Sequence, residues 1–176
     1  MIRCYVTDRR QGDLLSHVNA AIRDGVEIIQ VREKDLEAKA LFELVCRVRD
    51  AAAGTPTKVL VNDRLDVAMA AKIDGVHLPG NGLAVERVRS FVRLLGCSTH
   101  TVDEAVLAER GGADFVIFGP VFDTPGKTPV GIEALRRVAA AVRIPVLAIG
   151  GITHENTDEV LQAGAGGIAA IRLFQL

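Results

Sequence analysis

Several things are scarce in this sequence, and each scarcity narrows what the protein does. Tryptophan is absent. Charge of one sign is not in excess: 21 Lys+Arg against 22 Asp+Glu give a net charge of -1, with no basic tract. That argues against nucleic acid as the main partner. No apolar run approaches the roughly 20 residues a membrane helix needs, so no membrane partner is expected. The three cysteines, Cys4, Cys46 and Cys97, are dispersed, with neither a CxxC pair nor a metal spacing. A scattered odd set reads as reduced thiols in a cytoplasmic protein. The opening Met1-Ile-Arg-Cys-Tyr-Val-Thr-Asp8 has no apolar stretch after a basic cap, so no signal peptide is expected. Proline-rich, serine-rich and low-complexity linkers are missing as well, and one domain spanning 1–176 is expected. What remains is an ordinary globular composition, 49% hydrophobic and 24% charged over 176 residues, enough for one sizeable core.

Short β-rich runs alternate with helical patterns at nearly regular spacing. The strand candidates are Arg3–Asp8, Glu27–Glu33, Lys58–Asp63, Gly75–Pro79, Leu94–His100, Phe115–Val121, Pro145–Gly151 and Gly167–Leu173. Helices are expected near Asp13–Asp24, Leu36–Ala53, Leu65–Ile73, Ala84–Val92, Val102–Arg110, Ile132–Val142 and His154–Ala163. In the second helix Leu36, Ala40, Leu44 and Val48 are expected to share the core face, with Gly54 as its stop. Thr101 ahead of Val102-Asp103-Glu104 has the form of a capping box. Strand–helix alternation implies parallel strands joined by right-handed crossovers. Eight of them point to a compact α/β TIM (β/α)8 barrel, although such barrels usually run to about 250 residues. No helix pattern follows the eighth strand, so the barrel is expected to lack its last helix. The apolar face thereby left open favours association, and a homodimer or higher oligomer is expected.

The segment Ile28–Lys34 carries the first functional signal. It begins as a buried strand and then changes character. With a side-chain period of two, Gln30, Arg32 and Lys34 share one face. Charges near a core must be paired or wet, so this arrangement suits an anion held at the carboxyl end of a strand. In a barrel the site lies at that end of all the strands. Asn62-Asp63 close the third strand, Ser98 and His100 the fifth, Gly150-Gly151 the seventh and Arg172 the eighth. Thr124-Pro-Gly-Lys127 follow the sixth. Glycine amides suit a phosphate. The inventory indicates a phosphorylated or diphosphorylated small molecule, with a metal on Asp63. Blander readings exist for each part. Arg32 and Lys34 pair with Glu33 and Asp35 at a solvated strand end, Asn62-Asp63 cap the third helix, or Gly150-Gly151 make a tight turn before a cap at Thr153. His77 and His100, taken singly, read as packed or solvent-facing. His17 and His154 read as helix-surface residues without a role. Convergence on one rim favours the site.

Gln30-Val-Arg-Glu-Lys34, Val61-Asn-Asp-Arg64, Asp74-Gly-Val-His-Leu78, Gly96-Cys-Ser-Thr-His100, Gly112–Phe122 and Ile144–Ile152 occur in that order. Together they resemble thiamine phosphate synthase and its sister branch, the thiazole tautomerases, over essentially the whole chain. The resemblance implies a TIM barrel that joins an aminopyrimidine methyl diphosphate to a thiazole phosphate with release of pyrophosphate. Carried over, Arg32, Lys34 and Asn62 hold the diphosphate, and Asp63 binds Mg²⁺. Ser98 and Lys127 contact the reacting diphosphate, so that Lys34, Ser98 and Lys127 are the catalytic candidates. Thr124 meets the thiazole, and Gly151 takes the thiazole phosphate on its amide. Gln30, His100, Gly150 and Arg172 complete the substrate-binding set.

The departures from that pattern are local. Gly82 stands where the synthases carry a second acidic metal ligand, so a weakened Mg²⁺ site is expected; Asn81 is at best a neutral substitute. The strand-six loop lacks the second threonine usual before Lys127, and Arg172 replaces a serine. Leu78-Pro79 is the tautomerase choice in the strand-four turn. Pro120 is the synthase choice where tautomerases carry a histidine. Three activities are therefore expected in order: the transferase, a thiazole tautomerase-like isomerase using His100 or a carboxylate, and a non-catalytic thiazole phosphate-binding relative.

Overall fold

Eight short parallel strands pair in chain order, and the last returns to the first to close a barrel. This computed structural model describes residues 1–175. The strands are β1 (Ile2–Val6), β2 (Ile28–Val31), β3 (Lys58–Asn62), β4 (Gly75–Leu78), β5 (Leu94–Thr99), β6 (Phe115–Phe118), β7 (Val146–Ile149) and β8 (Gly167–Ala170). The connecting helices are α1 (Leu14–Arg23), α2 (Ala38–Ala52), α3 (Leu65–Ala71), α4 (Val85–Val88), α5 (Val102–Arg110), α6 (Ile132–Ala141) and α7 (Thr157–Gln162). The compact TIM barrel expected from the alternation is what forms. After β8 only a 3₁₀ turn, Arg172–Phe174, follows among the described residues. None of the described helices is long and apolar enough to cross a membrane.

The strands read as near-continuous apolar runs because both faces are buried. Cys4, Val6, Ile28, Leu60, Phe115, Ile117, Leu147 and Ala169 point inward and fill the barrel below its mouth. The alternate residues point outward under the helices. Tyr5, Ile29, Val31, Val59 and Val61 pack with α1, α2 and α3 on one side. Val76, Leu78, Leu95, Val116 and Phe118 pack with the later helices on the other. Each such buried aliphatic side chain is worth about 1.5–3 kcal/mol relative to exposure.

The period of α2 is as expected but its phase is not. Leu41, Val45, Val48 and Ala52 are buried, whereas Ala40 is exposed and Leu36 and Leu44 only half-buried. The buried stripe runs one residue later than the expected Leu36, Ala40 and Leu44 and rejoins the expected face at Val48, with Leu36 lying in the turn ahead of the helix. At the amino-terminal rim three carboxylates repeat one task. Glu27, Asp74 and Asp114 accept the backbone N–H groups of Arg3, Val59 and Leu95 at 2.8, 2.9 and 2.7 Å. Each side chain thus ties the start of an odd-numbered strand to the turn ahead of the next. Conserving such bonds at this end serves stability rather than chemistry.

Candidate functional site

β2 delivers Gln30, which is buried, and Arg32, which is half-buried, toward the mouth. The strand ends at Val31, and Lys34 reaches the mouth from the following turn. Arg32 and Lys34 do not pair with Glu33 and Asp35, as the solvated-strand-end reading had it; Arg9 takes both acids. Its guanidinium donates to Glu33 at 3.3 Å and to the two oxygens of Asp35 at 2.6 and 2.7 Å. Its backbone N–H also donates to Glu33. The Thr7 hydroxyl donates to Glu33 at 2.6 Å and accepts the backbone N–H of Arg32 at 3.0 Å. Glu33 is therefore buried but bonded, and neither Arg32 nor Lys34 has an ion-pair partner among the described residues.

At the end of β3 the chain turns through Asp63 in the left-handed region, φ 64°, a conformation acidic and amide side chains tolerate better than most. The cap reading of Asn62-Asp63 fails, since Arg64 is the first flanking residue of α3 and no side chain caps it. Asp63 instead lines a cavity of about 310 Å³ with Lys34, Asn62, Arg64, Pro79, Asn81 and the Arg9-paired Glu33, beside the apolar Val31, Leu36 and Leu41. Gly82 lies against the same carboxylate: a Cβ there would stand 3.1 Å from Oδ1 of Asp63 and 2.9 Å from Cδ of Pro79. Gly82 thus stands beside Asp63 and brings no side-chain oxygen to it. Among the described residues no group of three or more His, Cys, Asp or Glu side chains gathers for a metal.

β4 and β5 carry a buried pair. His77 is 2% exposed, and its Nε2 lies 2.8 Å from the Ser98 hydroxyl. Burial, and then the charge of Arg32, push its pKa down to about 3, so the ring is neutral. His100, at the rim, donates Nδ1–H to the carbonyl of Gly119 at 2.8 Å. Glu104 accepts the His100 backbone N–H and Thr101 caps α5, so the expected capping signal fixes this corner.

The loop after β6 folds over the end of β7. Gly119-Pro120 is cis, and Gly150 and Gly151 have φ of 95° and 65°. A Cβ on Gly150 would stand 2.4 Å from Pro120 Cβ, and one on Gly151 2.7 Å from the Asp123 carbonyl. Only glycine permits that approach. Thr124 and Lys127 face each other across a small antiparallel bridge, and the Lys127 ammonium side is exposed. The amides of Gly151 and Ile152 donate to no acceptor among the described residues. Thr153 is not a helix cap. Asn156 holds this turn, accepting from the Thr153 N–H and donating to the Gly151 carbonyl, both at 2.9 Å. Arg172 is exposed just past β8.

Arg32, Asp63, Lys127 and Gly151 therefore follow the carboxyl ends of β2, β3, β6 and β7 and share one pole of the barrel. Unpaired cations, the unpaired carboxylate of Asp63, the Ser98 hydroxyl and bare amides at one mouth suit a polyanion. Burial pushes the Cys4 and Cys97 thiols up to about 12 and about 11, so both are protonated near neutral pH. Sequence reasoning did not assign His77, Thr7, Arg9, Glu33 or Asn156. Glu33 and His77 lie within the motifs quoted above, whereas Thr7, Arg9 and Asn156 carried no such signal.

Residues 4–174 match the family profile described as thiamine monophosphate synthase. A thiamine-phosphate synthase of Roseiflexus castenholzii is 42% identical over 178 residues, 94% of this chain and 77% of that one. Another from Chlorobium luteolum is 40% identical over 177 residues, 97% of this chain and 83% of that one. The solved structure of a thiamine phosphate pyrophosphorylase from Pyrococcus furiosus superposes with a TM-score of 0.89 at 35% identity, covering 97% of this chain and 85% of that one.

Proposed function

From the premise that this chain belongs to the thiamine monophosphate synthase family, we propose that it joins an aminopyrimidine methyl diphosphate to a thiazole phosphate. The bond from the pyrimidine methylene to the diphosphate oxygen breaks, and the electron pair leaves with pyrophosphate. The thiazole nitrogen then supplies the pair for the new C–N bond. Charge builds on the departing oxygens, so fixed donors there lower the barrier. Arg32, Lys34 and Asn62 hold the diphosphate beside Gln30, and Ser98 and Lys127 donate to it as it departs. Thr124 and His100 line the thiazole side, while the Gly150-Gly151 turn and Arg172 receive the thiazole phosphate. The observation that carries the reading is that Arg32 and Lys34 have no ion-pair partner among the described residues, Lys34 lining the cavity of Asp63, while Arg9 occupies the neighbouring acids.

Mg²⁺ fits this donor set in a lean form. It keeps several waters and takes substrate phosphate oxygens alongside one or two carboxylates. Asp63 supplies one carboxylate, Asn62 and Asn81 line the same cavity, and Gly82 supplies no oxygen from a side chain. When bound, the ion neutralises charge on the diphosphate. A coupled condensation assay with both substrates, with and without Mg²⁺ and on Asp63→Ala, tests the reading. Mg²⁺-dependent product that falls at least about 100-fold in Asp63→Ala is expected; no product with both substrates and Mg²⁺ overturns it. The same reading includes self-association across the face beside β8, where Met1, Leu173 and Phe174 border a groove. A sedimentation coefficient above that of an 18.8 kDa monomer at micromolar concentration is the expected result.

A further inference from the structure

The His77–Ser98 contact has two possible proton arrangements, and its surroundings choose between them. Either Nε2–H donates to the serine oxygen, or the serine hydroxyl donates to a bare Nε2 while the ring proton sits on Nδ1. The second arrangement places an N–H on Nδ1, which is buried and has no partner among the described residues. What surrounds that nitrogen offers no acceptor. Gly96 lies so close that a Cβ on it would stand 2.6 Å from Nδ1 and 2.4 Å from the Phe115 ring. Phe115 covers the other side, with ring centroids 5.9 Å apart. A buried N–H without an acceptor is rarer and costlier than an acceptor left unfilled. The doubly protonated ring is disfavoured by burial and by the Arg32 charge.

We infer that His77 is a positioning residue whose Nε2–H donates to Ser98, so that the serine's own hydroxyl proton is left to donate into the barrel mouth. The register supports this use of the pair. His77 sits beside Asn62 on one neighbouring strand and beside Gly96 on the other. Ser98 is one inward step further toward the mouth than Gly96, and it is half-exposed there while His77 is sealed beneath it. An anion at the mouth thereby meets a hydroxyl that has already filled its acceptor role. Gly96 is what admits the ring: any side chain at that position would occupy the space now taken by Nδ1 and Phe115. The inference rests on the proposed diphosphate site for its purpose, but its proton arrangement can be tested apart from that reading.

Long-range ¹H–¹⁵N correlation spectra of the whole chain, labelled with ¹⁵N-histidine at neutral pH, report the tautomer directly. The imidazole whose signals vanish in His77→Gln should show a protonated Nε2 and a bare Nδ1. The reverse tautomer, or an imidazolium, overturns the inference whatever the protein catalyses. Calorimetric titration with inorganic pyrophosphate and Mg²⁺ supplies the second arm. His77→Leu should weaken pyrophosphate binding roughly tenfold with Ser98 present and less than about twofold in Ser98→Ala. His77→Gln, whose amide can donate from a similar position, should recover most of the affinity. Equal losses in both backgrounds overturn the positioning role. Failure of pyrophosphate to bind the parent chain sinks the diphosphate reading while leaving the tautomer result to decide the proton arrangement.

Discussion

Arg9 and Glu33 are joined twice, through the backbone N–H at 3.1 Å and the guanidinium at 3.3 Å. The consequence falls on Arg32. Glu33 also accepts from Thr7, and Thr7 accepts the Arg32 N–H, so a buried carboxylate on one side of the chain fixes the backbone that aims a cation from the other. Glu33→Ala removes the acceptor shared by three donors. A loss of about 2–4 kcal/mol is expected in urea unfolding, from donors left unsatisfied and a small cavity. Pyrophosphate affinity should fall with it, and Glu33→Gln, which keeps one acceptor oxygen, should lose less on both measurements.

Removing either free cation should act on binding and leave folding nearly untouched. A hydrogen bond to a charged group is worth about 1.5–3 kcal/mol, so Arg32→Ala and Lys34→Ala should each weaken pyrophosphate binding roughly 10- to 100-fold. Arg32→Lys should not restore it fully, because a point charge cannot replace a planar fork. Thermal midpoints within about 2 °C of the parent chain would separate this from a folding defect.

Restoring an acid at the position beside Asp63 is the direct test of the lean metal site. Gly82→Asp places a second carboxylate near Oδ1 of Asp63, and its Cβ must displace Pro79 by a few tenths of an ångström. The Mg²⁺ concentration giving half-maximal condensation should fall about three- to tenfold, and without Mg²⁺ the variant should be slightly less stable from like-charge repulsion. An unchanged or raised Mg²⁺ midpoint would contradict this account of the cavity.

Stability should depend on pH through His77. Its folded pKa of about 3 lies below the ordinary 6.5, so between those values the unfolded chain binds the extra proton. Stability is then fully present above about 6.5 and declines as pH falls toward 3. From pH 7 to pH 5 the loss assigned to this ring is about 2 kcal/mol. Urea midpoints of His77→Gln should fall correspondingly less over that range. Parallel pH profiles for the two proteins would contradict the assignment.

Much of the barrel was legible because parallel strands buried on both faces leave continuous apolar runs, and Val59-Leu60-Val61 or Val116-Ile117-Phe118 cannot be mistaken for surface. The rim was legible because Gln30, Arg32, Asn62, Ser98 and Gly151 follow such runs at matching places. Phase and pairing were less visible. Which residues of α2 face the core depends on how it packs on β2 and β3, and the turn after Lys34 is tied at Asp35 to Arg9, some two dozen residues away. The same distant arginine decided that Glu33 and Asp35 would not neutralise Arg32 and Lys34. His77 looked like any packed histidine, since its meaning lies in the empty space that Gly96 leaves on the next strand.

The apolar filling below the mouth has a kinetic corollary. Cys4, Leu60, Phe115, Leu147 and their neighbours block passage through the far end, so the barrel is a blind well with a single opening. Whatever reacts there must enter by the carboxyl-end mouth, and the departing group must leave by the same side before the next charged molecule can descend. Arrival and departure therefore share one side of the barrel and compete for it.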